Sequence, residues 1–391
     1  MKKKWLDRYR EAGEDLSFGS QVLVGFNTNI DVLTDFSELD IELDDGESEE
    51  LREVKSQEDF TAALKYCKEE NRNIEVCSNN FDPEIDGKRR IGGQAGIMAN
   101  FLSRLGNRSI LYTPFLSEEI SDLIDSEVIY PVSEDNLTLK SVSDAINSDR
   151  TKKNHIIEFS DISRRLILSD SLRGFGPYFR KGVEEKFPEL QEEVDRAIFS
   201  GFHDASGNIE SKLRKSEKQL RKMHIPKHLE FVSTTQERDE AILNKVASCF
   251  TSIGMDESEL KRIDDIIGYD IGEEVSLGKV YSISKKIIEK FNISRVHVHT
   301  QDFQIVVADR RYPVKDERIR DSMLFGGLAA VSMAEKGGIP SKEDIEVDTD
   351  RMHVKRLDNL EHFEDFFELE NFVESGTARL ENYKVIAVPT L

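Results

Sequence analysis

From residue 175 onward the chain alternates short apolar runs with longer amphipathic stretches, and that rhythm constrains the fold more than any other feature. Ala197-Ile198-Phe199-Ser200-Gly201, Leu229-Glu230-Phe231-Val232-Ser233, Phe250-Thr251-Ser252-Ile253-Gly254 and Arg295-Val296-His297-Val298-His299 read as strands, with helical periodicity over 210–223, 236–247 and 275–291 between them. Strands joined by crossover helices lie parallel, and a parallel sheet needs helices on both faces. The alternation therefore predicts an α/β fold with a mostly parallel sheet flanked by helices. Residues 303–307 are expected to pair with 295–299 as a hairpin, followed by a helix over 321–336 and a last strand over 384–388.

The first half interrupts this rhythm twice. Gln21-Val22-Leu23-Val24-Gly25 is a buried strand that delivers Phe26-Asn27 at its C-terminal end, but the text then turns acidic from Asp35 to Glu53 and turn-rich from Glu75 to Lys88. A glycine turn, Gly92-Gly93-Gln94-Ala95-Gly96, returns to helix and strand before a second excursion near 129–175 with β-patterned pieces at 155–159 and 165–168. Two β-rich inserts in one α/β core predict a smaller, discontinuous lid over 31–91 and 129–175. The large domain is then 1–30, 92–128 and 176–391.

The 391 residues carry 54 Lys plus Arg against 76 Asp plus Glu, a net charge of −22 whose field repels polyanions, so nucleic acid is not an expected partner. No apolar run approaches the ~18 residues that cross a bilayer, and Met1-Lys2-Lys3-Lys4-Trp5 does not open a signal core; no membrane partner and a cytoplasmic location are expected. Cys67, Cys77 and Cys249 form no CxxC and are read as structural.

Three polar clusters sit where such sheets place ligands. Asn27-Thr28-Asn29-Ile30-Asp31 offers a carboxylate and amides, which together accept from and donate to vicinal hydroxyls; Asx-turns are the competing explanation. Gly92-Gly93-Gln94 exposes backbone N–H groups at a helix start, although glycine pairs also serve close packing. His228-Leu229-Glu230 and Asp256-Glu257-Ser258-Glu259 place carboxylates at late strand ends, suited to hydrated Mg²⁺ beside phosphate or to capping a helix.

In this order, GFNTNID, RRIGGQAGIMAN, HLE, GMDESEL, VHVHT and YKVIAVPT resemble the archaeal ADP-dependent sugar kinases, the glucokinase and phosphofructokinase family of the ribokinase-like fold, along nearly the whole chain. The resemblance implies transfer of a phosphoryl group from ADP to glucose or fructose 6-phosphate, giving AMP, with Mg²⁺ as cofactor. It places Asn29, Asp31, Gly92, Gly93, Gln94 and the lid residue His155 around the acceptor. Glu230 and Glu259 fall at the metal, and Asp256 and His299 at the nucleotide. Asp256 stands where the family has Asn.

The family's Gly-x-Gly-Asp, which supplies an anion hole and the catalytic base, is expected shortly after the strand that here ends in Val388-Pro389-Thr390-Leu391, and no Gly-Asp pair occurs in the sequence. Three outcomes are open: a kinase whose remaining segment lies on a separate C-terminal polypeptide or is absent from the sequence as given, a sugar or sugar-phosphate binding protein without catalysis, or an unrelated acidic α/β scaffold, against which the ordered motifs speak. Asp321 is read as a helix N-terminal residue and not as a substitute base. Lys152, Lys153, Arg164, Arg165 and Arg173 lie in and just after the lid and tilt the acceptor slightly toward a phosphosugar, although solvated surface cations are the commoner explanation for such residues.

Overall fold

The computed structural model describes residues 1–15, 19–43, 48, 50–78, 81–170, 172–272, 275–345 and 352–391; part of the acidic stretch, 44–47 and 49, lies outside them. In chain order the strands are β1 (Gln21–Gly25), β2 (Asn29–Asp35), β3 (Glu53–Val54), β4 (Ile74–Ser78), β5 (Lys88–Gly92), β6 (Arg108–Tyr112), β7 (Ile129–Ser133), β8 (Leu137–Ser141), β9 (Lys153–Phe159), β10 (Arg164–Asp170), β11 (Arg196–Phe199), β12 (Lys227–Glu230), β13 (Ser252–Asp256), β14 (Arg295–His299), β15 (Phe303–Asp309), β16 (Thr377–Leu380) and β17 (Tyr383–Pro389). They form an eleven-stranded sheet, in the order β16-β17-β15-β14-β13-β12-β11-β1-β6-β7-β8, and a six-stranded sheet, β3-β4-β10-β9-β2-β5. The alternation expected from the sequence is present: β6, β1, β11, β12, β13 and β14 are mutually parallel, with β15 turning back antiparallel on β14.

The buried apolar residues divide accordingly. The main core runs along the large sheet, where β17 is buried at every position. A smaller core of Val54, Phe60, Leu64, Cys67, Val76, Ile157, Phe159, Leu166 and Leu168 lies where the helix Gln57–Glu69 covers one face of the second sheet. Its other face is left toward the large sheet.

Two features depart from the sequence reading. Residues 129–141, expected in the lid, form β7 and β8 at the edge of the large sheet: Ile129 pairs with Ile110, and Tyr130 Oη donates to the Thr113 carbonyl at 2.7 Å. An alternating strand can satisfy its apolar face on either sheet, and here Val128, Tyr130 and Val142 bury into the main core. The helix Lys2–Asp15 was not anticipated either. Its Trp5, Tyr9 and Ala12 are buried, with Trp5 Nε1 donating to the Val373 carbonyl at 3.0 Å and Tyr9 Oη to the Pro389 carbonyl at 2.6 Å.

Candidate active site

Parallel pairing brings the C-terminal ends of six strands to one edge of the large sheet, where open α/β sheets bind ligands. The chain leaves β1 there through Phe26-Asn27-Thr28 and enters β2 directly, so Asn29 and Asp31 hang over that edge on the second sheet. β5 pairs antiparallel with β2, setting Gly92 opposite Asn29 and Arg90 opposite Asp31. Asn29 Nδ2 donates to Asp31 Oδ1 at 2.6 Å, and Arg90 Nε stands 3.6 Å from the other carboxylate oxygen. Burial pushes the Asp31 carboxyl above its ordinary value, against the pull of Arg90 and the Asn29 amide.

The glycine turn is required sterically. A Cβ at Gly92 would overlap Asn29 Nδ2 and the Asp31 carboxylate, and Gly93, at φ +72°, would bring one to 2.6 Å from the Asn27 carbonyl oxygen. Gln94 opens the helix Gln94–Arg104 and accepts from Asn27 Nδ2 at 2.5 Å. Asn29, Asp31, Gly92, Gly93 and Gln94 thus form one cluster. The close-packing role allowed for the glycines is also present, because both stand against the amide and carboxylate groups themselves.

His155 is not part of that cluster. Strand registers align Arg90, Asp31, Asn154, Ser169 and Cys77 in one row across five strands, on the face turned to the large sheet. His155 pairs with Val32 and Leu168 on the opposite face, 6% exposed, with Nε2 3.4 Å from Asp82 Oδ1 and Nδ1 unpartnered. His155, expected at the sugar, thus faces away from the cleft and its neighbour Asn154 faces into it, because successive side chains of a strand point to opposite faces.

At the other end of the same edge, β12 and β13 carry the late carboxylates. His228 Nδ1 is 2.7 Å from Ser252 Oγ and its Nε2 3.2 Å from Glu230 Oε2. Asp256 caps the helix Glu257–Ile267 in a reciprocal box: its Oδ1 accepts from the Glu259 N–H at 2.8 Å and its own N–H donates to Glu259 Oε2 at 2.8 Å. The helix-start role is thus real. Burial, reinforced by the charges of Asp256 and Glu230, nonetheless pushes the Glu259 carboxyl up to about 8. A half-buried carboxylate beside two others has the donor chemistry for a divalent ion that keeps most of its waters. Among the described residues no group of three or more His, Cys, Asp and Glu could hold a metal ion, so any ion here relies on these two glutamates plus water and ligand. His299, exposed at the end of β14, lies opposite Asp256 in register.

A cavity of about 1060 Å³ runs along one face of the large sheet, lined by Gln94, His228, Glu230 and His299 near this edge and by Arg196, Lys227 and Arg295 farther back; Asn29, Asp31, Asp256 and Glu259 do not line it. Asp321, by contrast, lies inside the helix Asp316–Lys336, paired with Arg320 at 2.9 Å. Of the five lid cations, Lys152 reaches the cleft, with Nζ 2.6 Å from Asp204 Oδ1 of the large sheet, whereas Lys153 pairs with Glu119 and Arg164 bonds the Asn71 carbonyl. Asp204 and Arg238 escaped the sequence reading; the available signal was Ser200-Gly201 ending a strand just before His203-Asp204, the same grammar as Gly25 before Asn27.

The family model described as the ADP-specific phosphofructokinase/glucokinase conserved region matches residues 20–391. An ADP-specific phosphofructokinase of Pyrococcus furiosus is 29% identical over 87% of this chain and 82% of its own length. The ADP-dependent glucose/glucosamine kinase of the same organism is 27% identical over 94% and 88%. A solved ADP-dependent kinase in complex with fructose 6-phosphate and ADPβS superposes with a TM-score of 0.84 at 27% identity, covering 99% of this chain and 92% of that one. Fold and family match together place the chain in the class of ADP-dependent sugar kinases. The chain belongs to the ADP-specific phosphofructokinase/glucokinase family.

Proposed function

We propose that this protein binds fructose 6-phosphate and ADP in the cleft between the two sheets, for transfer of the β-phosphoryl group to a sugar hydroxyl with release of AMP. The observation that carries this reading is the common edge: the acceptor cluster follows the C-terminal end of β1, and the carboxylate cluster lies at the C-terminal ends of β12 and β13 in the same parallel sheet. Asn29 and Asp31 hold sugar hydroxyls, the Gly92-Gly93-Gln94 turn presents backbone amides, and Asn154 closes from the second sheet. Lys152 supplies the charge that a phosphorylated acceptor requires. Glu230 and Glu259 would hold Mg²⁺, with Asp256 and His299 beside the nucleotide; the ion would supply neutralisation of charge on the ADP phosphates.

The acceptor hydroxyl must lose a proton as its bond to phosphorus forms, and none of the 391 residues offers the Gly-Asp pair that serves this in the family. A base in that place is worth roughly 10²- to 10⁴-fold. A second reading, phosphosugar binding without transfer, differs from the first in turnover alone. Calorimetric titration with fructose 6-phosphate, fructose, glucose and Mg·ADP, paired with a coupled AMP assay, tests both. Fructose 6-phosphate is expected to bind at least tenfold more tightly than fructose, and ADP to bind independently. Tighter glucose binding would reassign the acceptor, and absence of heat from every sugar would end the kinase reading.

A further inference from the structure

The junction between the two sheets contains an ion pair that the acceptor cluster does not explain. Lys152, 7% exposed, immediately precedes β9, and its carbonyl accepts from the Ile30 N–H at 2.9 Å, one residue before Asp31. Its ammonium crosses the cleft to Asp204, in the short turn Phe202–Asp204 that follows β11. That turn is fixed on both sides of the carboxylate: Arg238 Nη2 donates to the carbonyls of His203 at 2.8 Å and Ala205 at 2.5 Å. The second carboxylate oxygen lies 3.6 Å from His203 Nε2. Despite burial, the Lys152 charge and His203 hold the Asp204 carboxyl below the usual range.

A lysine on a flexible four-carbon stem samples many positions, whereas a clamped carboxylate restricts it to one and occupies a single N–H of three. Two donors remain for a ligand. Lys152 and Arg238 place two positive charges around Asp204, and the carboxylates of Asp31, Glu75 and Asp170 also face Lys152. We propose that Asp204 is a positioning residue that holds the Lys152 ammonium at the acceptor cleft, where it takes the anionic group of a phosphorylated sugar. This rests on the acceptor reading given above and extends it to a residue on the facing sheet.

The test compares fructose 6-phosphate with fructose by calorimetry in the wild type, Asp204→Asn, Lys152→Met and the double variant. Asp204→Asn is expected to weaken fructose 6-phosphate about tenfold while fructose and Mg·ADP stay within twofold. Lys152→Met removes the preference between the two sugars, and the double variant is no worse than Lys152→Met. Equal losses on both sugars, or an unchanged or tighter fructose 6-phosphate affinity in Asp204→Asn, would overturn the proposal; Asp204→Ser serves if the amide variant does not fold. If the wild type binds no fructose 6-phosphate, the acceptor reading itself fails. Nitrogen-15 spectra of the lysine ammonium groups then still report on the clasp. A slowly exchanging signal lost in both Asp204→Asn and Lys152→Met supports positioning by Asp204, and its persistence in Asp204→Asn, or its absence from the wild type, contradicts it.

Discussion

Replacing Asp31 by alanine is expected to weaken acceptor binding by about 10²- to 10³-fold while leaving Mg·ADP affinity within twofold. The carboxylate is 9% exposed, receives the Asn29 amide at 2.6 Å and lies opposite Arg90, so its remaining lone pairs are confined to the cleft. Hydrogen bonds to a charged group contribute about 1.5–3 kcal/mol each, and two of them to neighbouring hydroxyls account for the loss. The variant also leaves the Asn29 amide and the Arg90 guanidinium without their partner. Asp31→Asn keeps the shape and one acceptor and is expected to fall between. Calorimetry with fructose 6-phosphate and, separately, Mg·ADP reads the result. A parallel loss of both ligands would mean that the change disturbs the fold and does not remove a sugar contact.

The second large effect concerns Glu259. Its folded-state carboxyl is raised to about 8, from an ordinary value of 4.5, by burial and by the adjacent Asp256 and Glu230 charges. A group raised in the folded state favours folding while protonated. Its contribution is complete below about 4.5 and is lost as pH rises toward about 8. Metal-free protein is therefore expected to lose stability on the order of a few kcal/mol between pH 5 and pH 8 from this residue. Glu259→Gln should flatten that part of the profile, since an amide oxygen can still accept from the Asp256 N–H. The same variant is expected to lose tenfold or more in Mg²⁺-dependent ADP affinity. Denaturant unfolding at a series of pH values and ADP titration with and without Mg²⁺ give the two readouts. An unchanged pH slope would show that the carboxyl is already ionised, and unchanged Mg²⁺ dependence would remove it from the metal.

Both effects come from positions legible in the sequence, because Asp31 and Glu259 each closely follow a short apolar strand of the large sheet, and the polar residues after such a strand have one edge to occupy. The second sheet was less legible. In Lys153-Asn154-His155-Ile156-Ile157 both phases are polar and then both are apolar, so alternation alone cannot say whether Asn154 or His155 faces the cleft; pairing with β2 and β10 decides it. β7 and β8 carry the same ambiguity between sheets. The N-terminal helix did have a mark, with Trp5, Tyr9 and Ala12 at helical spacing, but a segment so rich in charge reads as solvated until the strand it covers is in place. Asp204 had only the strand-ending Ser200-Gly201 before it as a mark, and its partner Lys152, 52 residues away, is brought to it by the fold alone.

The central claim is that an early polar cluster and a late carboxylate pair serve one reaction space. Manganese in place of magnesium tests this by distance. With the protein holding Mn²⁺·ADP, the protons of bound fructose 6-phosphate should relax strongly, and Glu259→Gln should abolish the enhancement while sugar binding persists. Normal sugar binding with no relaxation from bound Mn²⁺·ADP would place the two ligands apart and contradict the account.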